Sequence, residues 1–97
     1  MPYTYILECA DGTFYVGSCR NLDHRMWQHQ TGAGSVYTGK RLPVRLVFAQ
    51  EFERIDEAYA REKQLQGWSR AKRAAIIAGT YNELPGLSRK LRFSGPA

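Results

Sequence analysis

At 97 residues, with 43% hydrophobic and 24% charged residues, the chain has the size and balance of one globular domain with a single modest core. No run approaches the roughly 18 apolar residues of a membrane span, and because the N-terminus enters a strand-forming stretch almost directly, no signal peptide is expected. Fourteen lysines and arginines against nine acids give a net charge of +5 and a pI near 9.5, which favours a polyanionic partner, nucleic acid first.

Tyr3 to Cys9 is rich in strand formers and runs into Ala10-Asp11-Gly12, a turn signal, so Thr13 to Gly17 returns as the second arm of a hairpin. A two-residue Asp-Gly loop would pair Tyr15 with Glu8 and put Tyr5 and Tyr15 on opposite faces. A three-residue Ala-Asp-Gly loop with Gly12 left-handed pairs Leu7 with Tyr15 and Tyr5 with Gly17. The second register is expected, because only it turns both tyrosines to one side, with Gly17 leaving space beside the Tyr5 ring. Cys9 and Cys19 are too few for a disulfide scaffold and lack metal-ligand spacing, so reduced thiols in a cytoplasmic protein are expected.

Asn21 can cap a helix from Leu22 to about Gln30. Leu22, Arg25, Met26 and His29 fall on one stripe of it. Arg25 and His29, one turn apart, are either a solvated edge of an amphipathic helix or part of a site that includes Tyr15. Thr31 to Ser35 reads as a flexible loop leading to Val36-Tyr37-Thr38-Gly39-Lys40-Arg41, which mixes an aromatic with cations and ends at Pro43.

Val44 to Phe52 is the third strand. A second helix runs from near Asp56 to Gly67 with Ile55, Ala58, Tyr59, Glu62 and Leu65 on its stripe. A carboxylate on the buried face needs compensation, so Glu62 is either half of an internal salt bridge, for example to Arg25, or a metal ligand. Ser69 caps a third helix, Arg70 to Ala78, stopped by Gly79. Ala71, Ala74, Ala75 and Ala78 form a small-residue face. Arg70, Lys72 and Arg73 crowd its first turn, where the helix dipole disfavours cations, and are either a solvated basic face or a sign of an anionic partner. Residues 81–97 are expected as a basic tail, loosely packed or partly disordered, whose Arg89, Lys90 and Arg92 could track a phosphate backbone.

The set Tyr5-Ile6, Tyr15-Val16-Gly17, Arg25, His29 and Glu62 resembles the GIY-YIG nuclease superfamily, and most closely its small stand-alone bacterial proteins. The resemblance covers residues 3 to about 80 and includes Arg61-Glu62-Lys63-Gln64-Leu65-Gln66-Gly67-Trp68-Ser69-Arg70, which looks like the metal-ligand helix and its exit. Tyr5, with Tyr3 as the alternative, would be the first signature tyrosine. The asparagine that many members carry after the glutamate would be Asn82. The implied fold is an α/β domain over residues 1–80, a small three-stranded antiparallel sheet flanked by helices in the order β-β-α-β-α-α.

The resemblance implies a divalent-metal-dependent DNA endonuclease. Glu62 would bind one Mg²⁺ or Mn²⁺, ions that suit a single carboxylate and retained water. Arg25 would fork onto the scissile phosphate. Tyr5 would act as general base through a phenol whose pKa is lowered by nearby cations, Tyr15 would reach the nucleophilic water, and His29 would relay a proton or orient the phosphate. Tyr37, Lys40 and Arg41 would form the substrate-approach loop, with Tyr37 stacking on an unpaired base. One domain this small offers little surface for sequence readout, so structure-selective or single-strand cutting in DNA repair or processing is expected. The alternatives are a nucleic-acid-binding module with weak or no nuclease activity, or a catalytic subunit that needs a partner protein.

Overall fold

A computed structural model describes residues 1–79 and the backbone of 91–93. The elements run β1 (Tyr3–Glu8), β2 (Phe14–Cys19), α1 (Leu22–Gln30), α2 (Val36–Gly39), β3 (Arg45–Glu51), α3 (Ile55–Gln66), α4 (Arg70–Ile77) and β4 (Leu91–Phe93). The sheet is antiparallel in the order β2-β1-β3-β4, so the expected three-stranded core is present, with short β4 extending it along β3. The four-residue helix α2 is a second addition, built from residues whose mixed composition carries no helical period.

Helices cover both faces of the sheet. On one face Ile6, Val16, Val47 and Phe48 pack with Leu65 of α3 and Ile76 of α4, joined by Phe14, Trp68 and Ile77. On the other, Tyr5, Leu7, Cys9 and Val44 pack with Tyr15, Cys19, Leu46 and the α1 residues Leu22 and Met26. Strand β1 lies between two neighbours and beneath helices on both sides. Thr4, Tyr5, Ile6 and Leu7 are therefore all buried, and the alternation of a half-exposed strand is absent. Between Ile6 and Leu7 the register with β3 slips, so Ile6 faces Phe48 and Leu7 faces Leu46, with Val47 as the extra residue of a bulge.

The hairpin takes the three-residue loop. Gly12 has φ +85°, Gly12 N–H donates to Cys9 O at 2.9 Å, and Leu7 pairs with Tyr15 and Tyr5 with Gly17. Among the described residues β2 pairs with β1 alone and so forms one edge of the sheet.

Two helix faces differ from expectation. On α3 the buried side is Ala58, Arg61 and Leu65, whereas Tyr59 is half exposed (51%). The Thr4 hydroxyl donates to Ala58 O at 2.7 Å and pins that turn against β1. Arg61 lays its aliphatic stem inward because its Nε–H reaches Gln50 Oε1 at 3.2 Å and its guanidinium lies 5.3 Å from the Trp68 ring centre. On α4, Ala71, Ala74 and Ala78 are exposed and Ala75 is half-buried, while Ile76 is fully buried. Burying a branched side chain removes more apolar surface from water than burying an alanine, so the helix rolls toward its isoleucines.

Candidate active site

The site grows from the two tyrosines of the hairpin. Tyr5 is on the central strand and is fully buried, with its ring lying against the backbone of Gly17 on β2. A Cβ on Gly17 would come within 2.5 Å of Tyr5 Oη and 2.7 Å of Cζ, so glycine is required there for contact and not for its φ. Asn21 Oδ1 accepts from His24 N–H at 3.0 Å and starts α1 at Leu22, as expected. That start sets the angular phase of the helix and brings Arg25 and His29 over Tyr5. The solvated-edge alternative for this pair does not hold: His29 is fully buried and Arg25 half-buried.

The contacts form one chain. Arg25 Nε–H donates to Tyr5 Oη at 3.3 Å, and Tyr5 Oη lies 2.8 Å from His29 Nε2. His29 Nδ1 lies 2.9 Å from Thr38 Oγ1, which lies 2.9 Å from Ser35 Oγ. Tyr15 presents its ring edge-on to His29, with ring centres 5.4 Å apart, and Tyr5 does so at 5.6 Å. Arg25 Nη1–H also donates to Gln28 Oε1 at 3.0 Å. Tyr3 is half-buried and pairs with Cys19 at the far end of the strand, away from the contacts that join Tyr5 to Arg25 and His29.

Burial decides the protonation of this cluster. It drives the Tyr5 phenol up to about 12, against the smaller lowering influences of the Arg25 hydrogen bond and charge. The expected lowering of the Tyr5 pKa is therefore reversed in the free protein. Burial also pushes His29 down to about 4, and the Arg25 charge adds to that, so its imidazole is neutral at physiological pH. Arg25 itself is held protonated above its usual range, chiefly by its bond to Tyr5.

Glu62 sits half-buried on α3, beside β2 and across the sheet edge from the tyrosines. Its carboxylate accepts from Ser18 Oγ–H at 2.5 Å and from Gln66 Nε2–H at 2.9 Å. Arg25 is engaged by Tyr5 and Gln28, so the salt bridge considered between Arg25 and Glu62 is not formed. Each Glu62 oxygen accepts one neutral donor and keeps a further lone pair, and no ion pair to it occurs among the described residues. Among the described residues no three or more His, Cys, Asp or Glu side chains are grouped so that they could hold a metal ion together. A lone oriented carboxylate fits a hard divalent cation that retains most of its water, Mg²⁺ or Mn²⁺, and does not fit zinc.

The approach loop is more structured than its sequence suggests. Ser35 caps α2, accepting from Thr38 N–H at 3.1 Å, and Ala33 N–H and Gly32 N–H return to Gln28 O and His29 O of α1. Tyr37 stacks with Tyr15 at 6.0 Å between ring centres, and the Arg41 guanidinium lies 3.8 Å from the Tyr37 ring centre. Arg41 also binds Asp11 Oδ2 at 3.0 Å and Tyr37 O at 3.0 Å, which ties the loop to the hairpin turn. Lys40 is exposed at the end of α2.

Among the other basic residues, Arg70 lies 4.5 Å from the Phe14 ring centre and Lys72 5.3 Å from that of Trp68. Arg73 donates to Leu65 O at 3.0 Å and Gln66 O at 2.8 Å, and so closes the last turn of α3. Between these elements runs an open groove of about 250 Å³ lined by Phe14, Tyr15, Val16, Tyr37, Gln66 and Arg73. It links the Tyr15 side of the site to the residue that holds Glu62. Arg89, Lys90 and Asn82 lie outside the described residues, and of Arg92 only the backbone, in β4, is described.

Sequence reasoning missed Ser18, Gln66, Ser35 and Thr38. Gln66 was findable, four residues after Glu62 on one helix face. The others reach the site only through strand pairing or loop closure.

A family model for the GIY-YIG catalytic domain matches residues 1–75. The chain is 40% identical over 76 residues to a UPF0213 protein of Natronomonas pharaonis, covering 78% of this chain and 89% of that one. It is 37% identical over 76 residues to a UPF0213 protein of Staphylococcus saprophyticus, covering 78% and 93%. The solution NMR structure of a UPF0213 protein from Bacillus halodurans superposes with a TM-score of 0.54 at 36% identity, covering 93% of this chain and all of that one. With the tyrosine pair, the arginine and the helical glutamate in place on this fold, the chain belongs to the GIY-YIG family of nuclease domains.

Proposed function

We propose that this protein is a divalent-metal-dependent DNA endonuclease that cuts single-stranded or branched DNA in repair or processing in the cytoplasm. The reading is carried by the Arg25–Tyr5–His29 chain, in which a buried phenol accepts from a permanent cation and abuts a neutral imidazole. Glu62 would hold the ion, Mg²⁺ or Mn²⁺, which supplies Lewis-acid stabilisation of the phosphate when bound.

In the step derived for these residues, a water oxygen attacks phosphorus and the bond from phosphorus to the leaving oxygen breaks. The water proton passes to Tyr5 Oη as the Tyr5 proton passes to His29 Nε2, and the leaving oxygen takes a proton from solvent. Burial raises the phenol and lowers the imidazole, so the site disfavours the charged pair that full transfer ahead of attack would create. Transfer is therefore concerted with attack. Arg25 has N–H donors beyond those given to Tyr5 and Gln28, and these serve the charge that develops on phosphate oxygens.

The groove beside Tyr15 suits a strand with an unpaired base, since its aromatic walls adjoin Arg41, Arg70 and Arg73. The test is cleavage of labelled single-stranded, duplex and branched DNA, with and without Mg²⁺ or Mn²⁺, by the parent and Glu62→Ala. Metal-dependent cutting that disappears in Glu62→Ala supports the reading. Salt-sensitive binding of all three DNAs without cutting, by parent and variant alike, overturns it in favour of a binding module.

A further inference from the structure

We infer that Thr38, backed by Ser35, is a positioning residue that fixes the direction of the hydrogen bonds through His29 and so keeps Nε2 an acceptor for the Tyr5 proton. The consequence for cleavage rests on the proposed roles of Tyr5 and His29, whereas the direction of the chain does not.

The direction follows from what each group can do. Arginine has no acceptor, so the Arg25–Tyr5 contact makes Tyr5 Oη the acceptor there. The Tyr5 hydroxyl proton is then directed to its other neighbour, His29 Nε2, at 2.8 Å. A neutral imidazole that accepts at Nε2 carries its hydrogen on Nδ1, and that N–H points at Thr38 Oγ1, 2.9 Å away. Thr38 can play acceptor only while its own hydroxyl proton is placed elsewhere. Ser35 Oγ, 2.9 Å away, takes it. Ser35 is itself held as the cap of α2 by Thr38 N–H.

The surroundings leave the ring little choice. Thr38 and His29 are fully buried. The Gly34 backbone lies so close to the Nδ1 edge that a Cβ there would overlap it, so Thr38 is the described polar side chain that serves this nitrogen. Without the Thr38 hydroxyl, a hydrogen on Nδ1 would be buried unpaired. The ring would then favour the other tautomer, with Nε2–H donating to Tyr5. In that state Tyr5 Oη accepts from both Arg25 and His29 and has no base to receive its proton. Removing Ser35 has a milder effect, since it frees the Thr38 hydroxyl to donate to Nδ1 and mixes the two tautomers.

Nitrogen-15 NMR of the His29 ring in the full chain decides the matter. The expected results are an Nδ1–H tautomer at neutral pH in the parent, a shift toward Nε2–H in Thr38→Val, a mixture in Ser35→Ala and the parental pattern in Thr38→Ser. Thermal melts identify variants that remain folded. In the cleavage assay Thr38→Val lowers kcat on the order of tenfold to a hundredfold with KM unchanged, part of the effect of a positioned base, and Thr38→Ser restores it. An Nε2–H tautomer in the parent, or an unchanged Nδ1–H tautomer in folded Thr38→Val, overturns the inference. If the parent cuts no DNA, the nuclease reading fails while the ring nitrogens still decide the role of Thr38.

Discussion

Acidification should destabilise this protein through His29. The imidazole is lowered from 6.5 to about 4 in the fold, mainly by burial and then by the Arg25 charge. The unfolded chain therefore binds a proton below pH 6.5 that the folded chain refuses until pH falls to about 4. The stability linked to this group is complete above pH 6.5, and it is lost as pH drops through the interval to about 4. At about 1.4 kcal/mol per pH unit, the full loss is on the order of 3 kcal/mol, most of it gone near pH 4.5. Against the 5–15 kcal/mol typical of small domains (about half of the lower figure), that is a large share. Asp11 and Asp56 are also lowered, each first by a side-chain hydrogen bond (Thr13 and Arg54 respectively), but these surface groups act at lower pH and are common to any His29 variant. Urea unfolding of the parent and His29→Gln, each at pH 7.5 and 4.5, isolates the histidine share. The parent should lose about 2–3 kcal/mol more than the variant between the two conditions. Parallel losses would refute the burial of a neutral imidazole at this position.

Tyr5 supplies the opposite case: with its phenol raised to about 12, its contribution is complete below pH 10 and lost as pH rises toward 12. Absorbance titration of phenolate in the native state should show a tyrosine ionising at about pH 12 in the parent that is missing from Tyr5→Phe. Gly17→Ala puts a Cβ 2.5 Å from Tyr5 Oη, so it should destabilise by about 1–3 kcal/mol in denaturant melts and displace the phenol from His29. Ile76→Ala empties a fully buried site between α4 and the sheet and should cost about 2–5 kcal/mol without altering the His29 tautomer. Arg25→Lys keeps the charge but cannot hold Tyr5 and a phosphate with one planar fork, so cleavage should fall by at least tenfold while salt-dependent DNA binding persists.

Local chemistry made much of this protein legible from its sequence. Asn21 and Ser69 cap helices because a short polar side chain can accept from the backbone three residues on. Ala-Asp-Gly fixes the hairpin register because only glycine takes the left-handed turn at position 12 without strain, and that register puts Tyr5 opposite Gly17. The helical period then places Arg25 and His29 on one stripe. These are interactions between residues a few positions apart, so the chain carries them wherever it goes.

Tertiary structure decided what depends on neighbours distant in the chain. Whether α3 buries Tyr59 or Arg61 turns on Gln50 and Trp68 waiting at the sheet, and the choice of Ile76 over the alanines turns on the apolar cluster of β1, β2, β3 and α3 that it joins. The direction of the Tyr5 pKa shift was decided by the depth of burial, which outweighs the cation beside it, and depth is a property of the packed whole. The partners of the reactive groups belong to the same class. Ser18 meets Glu62 across 44 residues, and Thr38 meets His29 only after the loop between them folds back onto α1.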